Sequence, residues 1–165
     1  MKAFQNYRVI DTTHVLAGPF AAFQLATLGA DVIKVEDPND PDQARSQGPD
    51  RAMNGVGMGT AFLGQAGNKS SVAIDLKTPE GKEAMLRLID TADVFIENYR
   101  PGAFEALGLG YEDLRARNPG LVYCSLSAFG ATGPRSELRG YDNIIQAFSG
   151  FMAMTGDDPE KPFKC

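Results

Sequence analysis

Side chains suited to a phosphorylated ligand recur in this 165-residue chain at one kind of place, just past the end of each short β-branched run. Thr13-His14-Val15-Leu16-Ala17-Gly18 follow the first run, Glu36-Asp37 the second, Lys77 the third and Asn98-Tyr99-Arg100-Pro101-Gly102 the fourth. Ala128-Phe129-Gly130 follow the fifth, with Arg135 and Arg139 a little later. A histidine, an amide, aromatic rings and the cations Lys77, Arg100, Arg135 and Arg139 would pair with phosphates, face a purine and hydrogen-bond an amide chain. Each residue also has a plainer reading. His14 can be a satisfied turn histidine, Lys77 a solvated residue before a helix, and Asn98 and Tyr99 the shapers of a turn before Pro101. Arg100 can pair with an acid.

These residues share an edge only if the runs are parallel strands. The pattern predicts strands over Tyr7–Asp11, Asp31–Val35, Ser71–Leu76, Asp93–Glu97 and Leu121–Leu126. Between them lie helical stretches. One follows Pro19, a residue favoured at a first helical position, and stops at Gly29. Thr78-Pro79-Glu80 give an N-cap, a first-turn proline and a first-turn acid to another, whose Ala84, Met85, Leu88 and Ile89 share a face. Further helices are expected around Phe104–Leu107, over Tyr111–Asn118 and from Tyr141 to about Met154. Strands joined through helices must be mostly parallel. The expected fold is therefore an α/β one: an open, doubly wound, mainly parallel, Rossmann-like sheet with helices on both faces. In such sheets ligands bind beyond the carboxyl ends of the strands. Residues 37–70 break the alternation. They are rich in Asp, Pro, Gly and Gln, and their length predicts an irregular or helical excursion rather than a bare loop.

Composition narrows the function. The apolar and charged fractions, 43% and 22%, are those of a globular domain, and no apolar run reaches the ~20 residues of a spanning helix. A net charge of −5 argues against a nucleic-acid binder, while a few focused cations can still hold an anion. Cys124 in a strand-like run and Cys165 at the last position form no disulfide framework, so a reducing, cytoplasmic setting is expected. One histidine and no Cys/His cluster leave no metal site to propose. Gly55-Val56-Gly57-Met58-Gly59 follows no strand, and Gly64 to Ser70 has Asn68 where a phosphate loop needs glycine, so neither is read as a nucleotide motif.

Several blocks together carry a family resemblance. Asp11-Thr12-Thr13-His14-Val15-Leu16-Ala17-Gly18-Pro19, followed by Leu28-Gly29-Ala30-Asp31-Val32-Ile33-Lys34-Val35-Glu36, resembles the opening of class III CoA-transferases of the CaiB/BaiF type, such as formyl-CoA and carnitine CoA-transferases. Asn68-Lys69 through Asp75-Leu76-Lys77-Thr78-Pro79-Glu80-Gly81 agrees in order and spacing. So do Ala92-Asp93-Val94 through Glu97-Asn98-Tyr99-Arg100-Pro101-Gly102, and Gly140-Tyr141-Asp142 through Ser149-Gly150.

The resemblance implies that this is the N-terminal part of a large CoA-binding domain, with the small domain and C-terminal half lying outside the chain. It implies that His14, Val15, Leu16 and Ala17 lie along CoA, that Ile74 and Lys77 flank its adenine and phosphate end, and that Asn98 and Tyr99 line the channel. It places Arg139 where a cation meets the phosphates. Asp37 stands where some members carry a CoA-contacting arginine and Ala106 replaces another basic residue, so the resemblance implies either a reduced phosphate affinity or its supply by Arg100. The implied reaction transfers CoA from an acyl-CoA to a carboxylic acid through an aspartyl-CoA intermediate. That aspartate is expected a few residues beyond Cys165, and Asp157 and Asp158 are better explained as part of a Gly-Asp-Asp-Pro turn. The resemblance also implies interlocked homodimers, and exposed apolar surface or self-association in a half-length chain. Two other readings stay open. One is an α-methylacyl-CoA racemase-like enzyme, disfavoured because Tyr141 stands where that branch carries its histidine base. The other is a non-catalytic CoA- or nucleotide-binding module.

Overall fold

The computed structural model describes residues 2–156, 158 and 161–164. These divide into two units, residues 1–126 and 127–165. The first is built on five strands: β1 (Arg8–Asp11), β2 (Asp31–Glu36), β3 (Lys69–Ala73), β4 (Val94–Glu97) and β5 (Val122–Ser125). All pair in parallel, in the order β3-β2-β1-β4-β5. The chain winds outward from β1 through β2 to β3, then crosses back to lay β4 on the other side of β1. The direction of winding therefore reverses between β1 and β4, the switch point beside which open α/β sheets bind ligands.

Alternation along the strands feeds two cores. Val9, Val32 and Ile96 pack with Ala22 and Ala26 of helix α1 (Ala17–Thr27). Their neighbours Ile10, Val35 and Phe95 pack on the opposite face with Met85 and Ile89 of α4 (Pro79–Ile89), Phe104 of α5 (Ala103–Ala106) and Leu114 of α6 (Tyr111–Arg117). The period of two in a strand places consecutive residues on opposite faces, which is why one sheet supports helices on both. α1 starts close against the loop that leaves β1: a Cβ on Gly18 would collide with the Thr13 side chain.

Most boundaries shift by one to three residues from the sequence expectation, and three of the shifts have identifiable causes. α1 begins at Ala17, so Pro19 is its third residue, where its missing N–H is still one the helix leaves unpaired. β3 ends at Ala73 rather than Leu76. Ile74 still donates to the Glu36 carbonyl, but Asp75 then opens a side-chain turn by accepting the Lys77 N–H at 2.9 Å. The last helix, α7 (Asp142–Phe148), stops short of Met154 because Gly150 turns left-handed at φ 79°, and a 3₁₀ turn (Phe151–Met154) follows.

The 37–70 excursion contains a 3₁₀ turn (Gln43–Ser46) and the short helices α2 (Arg51–Gly55) and α3 (Thr60–Ala66). Arg45 anchors it, forking onto Glu36 at 2.9 and 2.6 Å while its guanidinium stacks 3.8 Å above the Phe62 ring. In the second unit α7 buries no residue, and Tyr141, Phe148, Phe151 and Met154 are exposed. Asp158 is half-buried in a loop of that unit, and Asp157 lies outside the described residues.

Candidate functional site

The loops after β1 and β4 are sewn together. The His14 N–H donates to Asn98 Oδ1 at 2.8 Å, and Asn98 Nδ2 donates back to the His14 carbonyl at 2.8 Å. One amide side chain thus satisfies both backbone groups of the histidine, its oxygen accepting and its NH₂ donating. Beyond it, His14 Nε2 lies 2.7 Å from the Tyr99 hydroxyl, and the rings meet edge to face at 5.1 Å.

Protonation follows from the surroundings. Burial lowers the His14 pKa, partly offset by the Asp42 carboxylate, and the Lys34 charge lowers it further. Burial, reinforced by the negative charge of Asp37 and Asp40, pushes the Tyr99 hydroxyl up to about 12. A neutral imidazole and a protonated phenol can share this bond in either direction, Nε2 accepting from the phenol or donating to it according to the tautomer.

Tyr99 also lines a cleft of about 100 Å³ with Ile74, Leu76, Lys77, Phe104 and Leu107. Thr12, Glu36 and Asp37 complete its polar side. The wall is apolar with a single cation at the rim, a composition suited to a flat ring carrying an anionic group. That cation is engaged: Lys77 Nζ lies 3.0 Å from Asp37 Oδ2, and the lysine is mostly solvent-exposed. A helix-start turn positions Lys77. Thr78 caps α4 by accepting the Gly81 N–H, and a Cβ on Gly81 would fall 1.9 Å from the Asp75 carbonyl oxygen, so only glycine permits this approach.

Leu16 and Ala17, both exposed, begin α1 with no capping side chain, which leaves the positive end of an 11-residue helix beside His14. His14, Val15, Leu16, Ala17, Ile74, Lys77, Asn98 and Tyr99 all belong to the carboxyl edge of the first unit. Arg100 is exposed on the turn between β4 and α5. Arg139 belongs to the second unit, on an exposed stretch before α7.

Sequence reasoning missed the buried ionic layer beneath this edge. Lys69 Nζ lies 2.8 Å from Asp11 Oδ2 and donates to the Pro19 carbonyl. Lys34 Nζ donates to the Thr13 carbonyl at 2.6 Å and faces Asp42 Oδ2 at 3.4 Å. Asp42 N–H donates to Glu36 Oε1, the oxygen Arg45 Nε also reaches. Lys34 offered one signal, a cation inside an otherwise apolar strand. Asp42, in an Asp- and Pro-rich stretch, offered none. Among the described residues no group of His, Cys, Asp and Glu is placed to hold a metal ion, and no helix is long and apolar enough to cross a membrane.

The model of CoA-transferase family III matches residues 4–165. The chain belongs to that family. It is 46% identical, over 95% of its length, to the succinate–glutarate CoA-transferase of Agrobacterium fabrum, and spans 40% of that protein. It is 43% identical to human succinyl-CoA:glutarate CoA-transferase, covering 98% of this chain and 37% of the relative. A CaiB/BaiF family protein from Brucella suis superposes with a TM-score of 0.91 at 40% identity, covering 99% of this chain and 43% of that one. The family assignment and the α/β fold thus agree with the sequence reading. The chain accounts for about two fifths of each curated relative named.

Proposed function

We propose that this chain supplies the CoA-binding edge of an enzyme that moves CoA from an acyl-CoA to a carboxylic acid. The observation that carries the reading is the knot of His14, Asn98 and Tyr99 at the point where the winding reverses, opening directly onto the cleft lined by Ile74 and Lys77. The adenine ring enters the apolar cleft and the phosphates meet Lys77, with Arg100 as a further cation. The pantetheine arm runs past Tyr99 to the His14 imidazole, Val15 and the exposed Leu16-Ala17 start of α1. The thioester reaches an aspartate beyond Cys165, which forms the aspartyl-CoA intermediate. Relatives named for succinate and glutarate support a short dicarboxylic acid as the acceptor. The exposed apolar residues of the second unit support association with a second copy or a companion polypeptide, and the enzyme works in the cytoplasm.

Calorimetric titration of CoA, followed by an assay of transfer from succinyl-CoA to glutarate, tests the reading on a polypeptide of the relatives' length that contains this chain. Binding with turnover is expected. Binding without transfer to any acid would leave a CoA-binding module, and no binding would overturn the proposal.

A further inference from the structure

Val15 holds a left-handed backbone, with φ at 72°. For a β-branched residue this is an unfavourable conformation that persists only where the surroundings impose it. The surroundings here are explicit. Thr12 N–H donates to the Ile96 carbonyl, Thr13 N–H to Asp11 Oδ1, and the Thr13 carbonyl accepts from Lys34. Asn98 takes both backbone groups of His14. The next link is Asp42, 27 positions away, whose Oδ1 accepts the Val15 N–H at 3.0 Å.

Asp42 is 1% exposed. The same Oδ1 accepts the Ala44 N–H, which fixes the 3₁₀ turn of the excursion, and Oδ2 faces Lys34. Burial pushes its carboxyl up, but the hydrogen bonds from Val15 and Ala44 and the Lys34 charge outweigh that and hold it below the usual carboxylate range. It therefore remains an ionised acceptor, the stronger kind.

We propose that Asp42 is the positioning residue for the His14–Ala17 loop: by holding the Val15 N–H it keeps Val15 left-handed and so aims His14 and the start of α1 at the ligand. This rests on the CoA-binding reading above. Without Asp42, Val15 relaxes to negative φ, which rotates the peptide joining the histidine to α1 and misdirects both. The excursion then acts on this loop through the Asp42 carboxylate, separately from the Asp37 carboxylate that pairs with Lys77 at the cleft.

The test uses a polypeptide of the relatives' length, with CoA affinity measured by calorimetry and Val15 amide exchange by NMR or mass spectrometry. Asp42→Ala is expected to weaken CoA binding about tenfold. Adding Val15→Gly, which makes left-handed φ free of steric cost, is expected to recover at least about threefold of that. A purely structural role in pairing Lys34 would not respond to glycine at a site 27 positions away. Unchanged affinity in Asp42→Ala, or a recovery below about threefold, overturns the proposal. If Asp42→Ala does not fold, Asp42→Asn replaces it, since its carbonyl oxygen can still accept from Val15. A loss of less than about fivefold then supports the proposal and a larger loss overturns it. If the unmodified protein binds no CoA, the CoA reading fails by itself and exchange decides. A protected Val15 amide that loses protection when Asp42 is replaced supports the positioning role; an amide unprotected from the outset, or one indifferent to the replacement, rejects it.

Discussion

The His14 imidazole and the Tyr99 hydroxyl, 85 positions apart in sequence, meet at 2.7 Å where the loops after β1 and β4 face each other. Neither strand end would place its side chain usefully alone. β1 and β4 are neighbours only because the chain crosses the sheet after β3, so a topological fact becomes a hydrogen bond.

That bond depends on Asn98. Replacing Asn98 with alanine strips partners from both the N–H and the carbonyl of His14, and is expected to lower stability by about 2 kcal/mol. Urea denaturation of both proteins measures this. A change well under half that size would mean water substitutes for the amide.

The burial of His14 has a pH signature. Its folded pKa lies below the unfolded value of 6.5, so below about pH 6.5 the unfolded chain binds a proton that the native one resists. This residue therefore adds nothing above about pH 7.5 and removes stability progressively as pH falls through 6.5 toward the lower folded pKa. A His14→Gln variant should show a flatter decline in unfolding free energy between pH 7 and 5. Superimposable slopes would show that the imidazole is not desolvated.

Much of this was legible in sequence. Five β-branched runs, Gly29 after the first helix and Thr78-Pro79-Glu80 before the fourth are local signals, because strand alternation, caps and first-turn prolines act over a few residues. His14, Lys77, Asn98 and Tyr99 followed from the rule that ligand loops sit at strand ends. Asp42 and Lys69 were not legible. Their roles come from partners 27 and 58 positions away, Val15 and Asp11, and no spacing announces a buried ion pair. Ile74 and Leu76 were read as strand, and the Asp75 side-chain turn that ends β3 also turns Lys77 toward Asp37.

Asp37 restrains the one cation of the cleft. Exchanging it for arginine frees Lys77 and adds a second positive charge at the rim. CoA binding is then expected to tighten about threefold and to weaken more steeply with added salt. Titrations at low and high ionic strength measure both effects. Unaltered affinity and salt slope would place the phosphates elsewhere.

Gly81 is a test of the turn itself. A methyl group there meets the Asp75 carbonyl oxygen, so Gly81→Ala is expected to cost about 2 kcal/mol despite alanine's better helix propensity. Thermal and urea melts decide the sign. A stabilised variant would mean the start of α4 lies further from Asp75.

The location of CoA is the most direct test. A crystal structure with bound CoA, determined for a polypeptide of the relatives' length containing this chain, should show the adenine between Ile74 and Tyr99, a phosphate at Lys77 and the pantetheine arm passing His14. CoA held on another face, with the cleft between Ile74 and Tyr99 empty, would contradict the account.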